Sequence, residues 1–121
     1  MQPMFEVSVE KSFTAEHAVT ICGVEEMPHS HDWKVVLTVQ GDKLDKDGLL
    51  IDFLDVEGQL SRAIEPLHHA NLNTCPEMNN QNPSTEHVAM YIAQCVHISP
   101  PNKIVSVTVT EASHCKATYT P

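Results

Sequence analysis

Basic residues are scarce in this chain: seven Lys and Arg stand against sixteen Asp and Glu in 121 residues, a formal charge of −9. Such a balance repels nucleic acid and anionic membrane surfaces, so neither is expected as a partner. No apolar run approaches the ~20 residues needed to span a bilayer. The N-terminal stretch MQPMFEVSVEKSF has neither a basic lead nor an apolar block, so a secretory signal is not expected. A Cys-x-x-Cys pair is also missing, since Cys22, Cys75, Cys95 and Cys115 lie far apart. The expectation is therefore a cytoplasmic protein with reduced thiols. Repeats and low-complexity tracts are absent too, and 121 residues suit one domain, 1–121, with an ordinary core.

What is present is periodic. Residues 5–13 alternate, placing Phe5, Val7, Val9 and Phe13 on one face, and residues 33–40 alternate through Trp33, Val35, Leu37 and Val39. After a polar connection, GDKLDKDG, the residues Phe53, Val56, Leu60, Ile64 and Leu67 recur at helical spacing, with Asp52 placed to cap. NPSTEH predicts a second helix start, with Asn82 as cap, Pro83 in the first turn and Glu86 near the positive end. Its apolar face would be Val88, Tyr91, Ile92 and Cys95. Alternation returns through Val105, Val107 and Val109, and residues 117–120 could form a last short strand. The order β-β-α-α-β-β predicts an α+β domain with both helices on one face of a four-stranded antiparallel sheet. Its two open edges favour self-assembly.

Eight histidines are many for this length, and three fall together. His29 and His31 are two apart at the start of a strand, so their side chains share a face with Cα atoms roughly 6.5 Å apart. If the first two strands pair as a hairpin, His17 lands beside them. Three neutral imidazoles without a fourth protein ligand describe an open, catalytic zinc site, whereas a polar loop without metal is the alternative for His-Ser-His alone. Glu111 continues the buried parity of Val105, Val107 and Val109, and a carboxylate there needs a partner.

FTAEH, Cys22-x3-Glu26-x2-His29-x-His31, GLLIDF, LHHANLN, NPSTEH and VTE occur in one order along the chain. This series resembles the 6-pyruvoyl-tetrahydropterin synthase and 6-carboxytetrahydropterin synthase family. The resemblance implies the tunnelling fold, assembly through the sheets into a homo-trimer or homo-hexamer with barrels, and active sites at subunit interfaces. It implies zinc held by His17, His29 and His31, and a pterin anchored by Glu111 through two parallel hydrogen bonds. It makes Cys22 the base, His69 its proton relay, and Glu26 the base of the members that cleave the side chain. Cys22 together with Glu26 is similar to the dual-function branch. Two departures stand out: His68 replaces the Asp that orients the relay, and Ser30 replaces a Gly. For Cys75, Cys95 and Cys115 buried, inert thiols are expected. For Lys34 a solvated strand lysine is expected.

The activity so implied is conversion of 7,8-dihydroneopterin triphosphate to 6-carboxy-5,6,7,8-tetrahydropterin in the queuosine pathway. The alternatives are 6-pyruvoyl-tetrahydropterin synthesis, aldolase-like release of 6-hydroxymethyl-7,8-dihydropterin for folate, or a non-catalytic zinc- and pterin-binding protein.

Overall fold

The computed structural model describes residues 3–121. In chain order the elements are β1 (Phe5–His17), β2 (Thr20–Ile21), β3 (Val24–Glu25), β4 (His29–Gly41), α1 (Phe53–Ile64), α2 (Thr85–Cys95), β5 (Lys103–Ala112) and β6 (Cys115–Tyr119). The four long strands form one antiparallel sheet in the order β1-β4-β5-β6. Both helices cover one face: α1 packs over β1, and α2 over β5 and β6. The α+β expectation with two helices on one side of four strands is what the chain adopts.

Alternation explains which face is covered. Trp33, Val35, Leu37 and Val39 on central β4 are fully buried and meet Val56 and Leu60 of α1 and Val88 and Ile92 of α2. Burying each such side chain stabilises the fold by roughly 1.5–3 kcal/mol. The opposite face is polar. There Ser8 bonds Thr38 at 3.0 Å, Thr108 bonds Thr118 at 2.8 Å, and the Lys34 ammonium lies 3.4 Å from Glu10. Asp52 caps α1 as expected, accepting from the Leu54 N–H at 2.9 Å.

Several local expectations are corrected. The second helix begins two residues later than its Pro suggests, with Ser84 as the cap accepting from the His87 N–H. Asn82 is spent elsewhere, as described below. Val105 is not part of the buried face. Thr38 pairs with Ser106 but Val39 pairs with Ile104, so Val105 is the extra residue of a bulge and Ile104 packs on the core instead. Phe5, the first residue of β1, is exposed and lies outside the core. All four cysteines are free, but only Cys75 is buried. Cys95 closes α2, where Ala89 and Ala93 join Val88 and Ile92 in the core and leave the thiol outside. Cys115 begins edge strand β6.

Candidate metal centre

The pairing of β1 with β4 does not stop at the apolar residues. It continues to the ends of both strands, where His17 faces His29 and Ala15 faces His31. His17 keeps the inward parity of Val9, Phe13 and Ala15 and is fully buried. Its ring lies edge-on to His29, His31 and Trp33, with centroids 4.6, 5.8 and 4.8 Å away. Trp33 is fixed in turn by its indole N–H, which donates to the Ala15 carbonyl at 3.1 Å.

The outer hydrogen bonds set the tautomers. A carbonyl only accepts, so His17 Nδ1 must donate to the Pro83 oxygen at 2.7 Å, and His29 Nδ1 to the Met27 oxygen at 3.1 Å. Each ring then presents Nε2 to the cluster as a lone pair, the arrangement seen in metal-bound imidazoles. Burial, followed by the neighbouring His29, pushes the His31 pKa below the ordinary histidine value.

Glu111 completes the group. Thr110 pairs with Lys116 and Ala112 with Cys115, which leaves Glu111 as the extra residue of a second bulge. Against β4 the register runs unbroken up to Thr110, so Glu111 keeps the inward parity of Val107 and Val109 and its carboxylate faces the histidines. One carboxylate oxygen touches His17 Nε2 and lies 3.8 and 3.9 Å from Nε2 of His29 and His31. All four donor atoms lie within 4.8 Å of one another. Yet His17 Nε2, buried, has no hydrogen-bond partner. A lone pair facing a carboxylate without a proton between them is repulsive unless a cation joins the group. Three imidazoles and one carboxylate could therefore hold a metal ion.

Beside the cluster opens a cavity of about 550 Å³, lined by Glu26, His29, Glu111, Thr85 and Glu86, and by Thr20 and Ile21 of the small β2–β3 hairpin. Glu26 Oε1 lies 3.8 Å from His29 Nε2 and accepts the Val19 N–H at 2.9 Å. Two asparagines hold the chain leaving β1. Asn73 brackets Ala18 through its N–H and C=O at 2.7 and 2.8 Å, and Asn82 does the same to Thr20 at 2.9 and 3.0 Å.

With this geometry in place, similarity to known proteins becomes informative. The sequence model of 6-pyruvoyl tetrahydropterin synthase matches residues 6–121. The chain belongs to the 6-pyruvoyl tetrahydropterin synthase family. A dihydroneopterin monophosphate aldolase from Pyrococcus furiosus is 32% identical over 93 residues, covering 77% of this chain and 75% of that protein. The human 6-pyruvoyl tetrahydrobiopterin synthase is 36% identical over 66 residues, 53% of this chain and 46% of the human one. The solved 6-pyruvoyl tetrahydropterin synthase of Caenorhabditis elegans superposes with a TM-score of 0.85 at 19% identity, covering 99% and 97% of the two chains. The fold is thus the tunnelling fold of that family, and pterin processing is the family's work.

The remaining residues singled out within the synthase-family motifs are placed differently from the cluster. Cys22 sits with Gly23 in the two-residue turn joining β2 to β3, at φ 51° and 79°. Positive φ at both central positions is what a tight hairpin turn of this kind requires, and it leaves Cys22 exposed at the tip. Cys22 does not line the cavity. The rings of His68 and His69 lie with centroids 3.8 Å apart, tilted by 37°, and both residues are exposed. They lie along the outer edge of β1: the Thr14 N–H donates to His68 Nδ1 at 3.1 Å, and the His69 N–H to the Thr14 oxygen at 2.6 Å. Further bonds, Glu16 N–H to Ala70 and Leu72 N–H to Glu16, tie the rest of LHHANLN to that edge. His69 is therefore separated from the cavity of its own chain by β1. The two asparagine brackets, and Thr85 and Glu86 at the cavity wall, are structural features of this region the sequence reading did not assign. Their signals were the last Asn of LHHANLN and the run Asn-Pro-Ser-Thr-Glu, which reads equally well as helix capping.

Proposed function

We propose that this chain is a zinc-dependent lyase that cleaves the side chain of a phosphorylated 7,8-dihydroneopterin and releases 6-hydroxymethyl-7,8-dihydropterin, with Glu26 as the base. The observation that carries this reading is the position of Glu26: its carboxylate shares the cavity with His29 and Glu111, whereas Cys22 stands at an exposed turn outside it. The aldolase name of the relative from Pyrococcus furiosus agrees with it. His17, His29 and His31 would hold the zinc, whose preference for imidazole and carboxylate donors in a four-coordinate site suits this set. Bound zinc supplies a Lewis acid that acidifies a side-chain hydroxyl and stabilises the oxygen charge that develops.

The chain's own groups do the rest. Glu111, at the cavity wall beside the metal site, accepts two parallel hydrogen bonds from the ring N–H and amino group, a bidentate geometry selective for a pterin edge. Glu26 takes the proton of the C2′ hydroxyl. The C1′–C2′ bond breaks, its electron pair enters the N5=C6 imine of the ring, and the distal carbons leave as a phosphorylated aldehyde. Glu26 then returns the proton to C1′, which balances the reaction without an oxidant. The Val19 N–H on Glu26 Oε1 keeps the carboxylate oriented through both steps.

A second reading is retained for one reason. Thr20 and Ile21, adjacent to Cys22, line the cavity, so the thiol belongs to the segment at its mouth. Formation of 6-carboxy-5,6,7,8-tetrahydropterin through Cys22 and His69 would then use the His69 of a second copy, since that of the same chain lies behind β1. The outer edge of β6 and the N-terminal half of the outer edge of β1 carry no strand partner among the described residues. Joining them between copies would give the expected homo-trimer or homo-hexamer.

Product analysis decides. Zinc-loaded protein is incubated with the monophosphate and the triphosphate of 7,8-dihydroneopterin. A hydroxymethyl-pterin that disappears in Glu26→Gln supports the main reading. A carboxy-pterin that disappears in Cys22→Ala establishes the second, and no product from either substrate sinks both in favour of a pterin-binding protein.

A further inference from the structure

We infer that Glu111 is itself a metal ligand in the pterin-free protein, and that it leaves the metal when a pterin arrives. The inference rests on the metal reading above and extends it to a fourth, exchangeable donor. A tetrahedral site with bonds of the usual zinc length has donors roughly 3.3–3.5 Å apart. The Glu111 oxygen lies 3.8 and 3.9 Å from the Nε2 atoms of His29 and His31, near that spacing, and closer than that to Nε2 of His17, so all four donors face one small space into which an ion would spread them. The buried, unpartnered Nε2 of His17 is aimed at it.

Charge favours the same assignment. Three neutral imidazoles leave a dication uncompensated in a site where His17 is wholly buried and the Glu111 side chain is only 21% exposed. The other carboxylate within reach, Glu26, approaches only His29, at 3.8 Å, and already accepts the Val19 N–H. Strand parity supplies the structural reason: Glu111 follows Val107 and Val109 on the helix-covered face of β5, the face that His17, His29 and His31 share on β1 and β4.

Two parallel hydrogen bonds from the pterin edge would engage both Glu111 oxygens, fix the plane of the carboxylate on the ring and draw off charge that a metal contact uses. Pterin binding and the Glu111–metal contact therefore compete, and by linkage each weakens the other equally. The ring of the substrate would clear the coordination position that its side-chain oxygen then takes. Water would be kept from that position until a pterin is seated.

The test is metal affinity, read by competition with a chromophoric chelator, on metal-free protein refilled with Zn²⁺ or Co²⁺. Glu111→Ala and Glu111→Gln should bind at least 10-fold more weakly than the unaltered protein, with His29→Ala weaker still. Saturating 6-methylpterin, which has no side-chain oxygen to offer the metal, should change the visible Co²⁺ spectrum of the unaltered protein. If the Glu111 variants bind metal as tightly as the unaltered protein while His29→Ala does not, the fourth-ligand assignment is overturned and the three-histidine reading stands. If His29→Ala also binds as tightly, the metal reading fails with it. An unchanged Co²⁺ spectrum at saturating pterin overturns the exchange.

Discussion

Two parts of this molecule hold its candidate functional residues, and they are built in opposite ways. The imidazoles and Glu111 sit on the ends of long, paired strands, with rings locked by packing on Trp33 and by carbonyls of Pro83 and Met27. Cys22 and His69 sit on short appended segments, one a two-residue turn and the other a left-handed position beyond a helical turn, both exposed. A metal centre needs its donors placed to within a few tenths of an ångström, which the sheet provides within one chain. A proton-transfer group needs only to reach the bound substrate and can be supplied by a mobile segment or by another copy. Glu26 lies between the two regimes, on the hairpin's return but tied by both its N–H and its carboxylate to Val19.

The largest break in this contrast should come from His17→Ala. It removes a donor and the packing beneath Trp33 together, and metal affinity should fall by more than the ~10–100-fold that loss of an outer partner costs. Turnover should vanish with it. Metal analysis by competition titration checks this, and a full equivalent held at unaltered affinity would remove His17 from the centre.

Next in size, Glu26→Gln should slow hydroxymethyl-pterin formation by roughly 10²–10⁴-fold with metal content unchanged, because only proton transfer has been lost. Single-turnover rates at saturating substrate give the number. A fall confined to KM would make Glu26 a binding group.

Asn82→Ala sharpens the contrast from the other side. It deletes two hydrogen bonds that hold Thr20, and with net values of about 0.5–1.5 kcal/mol each the hairpin should open more readily by about 1–3 kcal/mol. Hydrogen exchange should speed up at the Ile21 and Val24 amides of the hairpin and not at those of β4. Equal protection in both variants would show that the hairpin is held by something else.

The smallest effect is expected from Cys22→Asn. Asparagine tolerates positive φ better than cysteine does, and Asn-Gly is a favoured two-residue hairpin turn, so this variant should be more stable by up to about 1 kcal/mol. A melting temperature raised by a few degrees, with hydroxymethyl-pterin formation intact, fits a thiol that stays outside the main reaction. Lost hydroxymethyl-pterin formation in a well-folded Cys22→Asn protein would return the base to Cys22.

Period-two and helical spacing placed the four strands and two helices in the sequence, because burial of one face follows directly from side-chain alternation. The same rule put His17, His29 and His31 on one face as soon as β1 and β4 were paired antiparallel. Neither bulge was legible. Val105 and Glu111 look like regular members of one alternating run, and an extra residue in a ladder shows only when the partner strand is present to be counted against. The exposed Cys95 and Cys115 were misread for a related reason: each stands at the end of its element, the last residue of α2 and the first of β6, where burial is not set by the element's period. The β2–β3 hairpin lay in a stretch too short for periodicity to register.

What the amino-acid order determined by itself, then, is everything that rests on local period and residue type: the α+β layers, the core of β4, the His-x-His bite and the cap at Asp52. Tertiary structure alone decided where the polar groups meet. Residues 94 positions apart, His17 and Glu111, come into contact because the pairing of β1 with β4 and of β4 with β5 brings both strand ends to one face of the sheet. Glu26 enters the cavity and Cys22 does not because Cys22 lies in the turn at the hairpin's tip, whereas Glu26 follows its return strand and is fastened to Val19. Such contacts depend on register and strand irregularity summed over the whole sheet, and no window of sequence contains both partners.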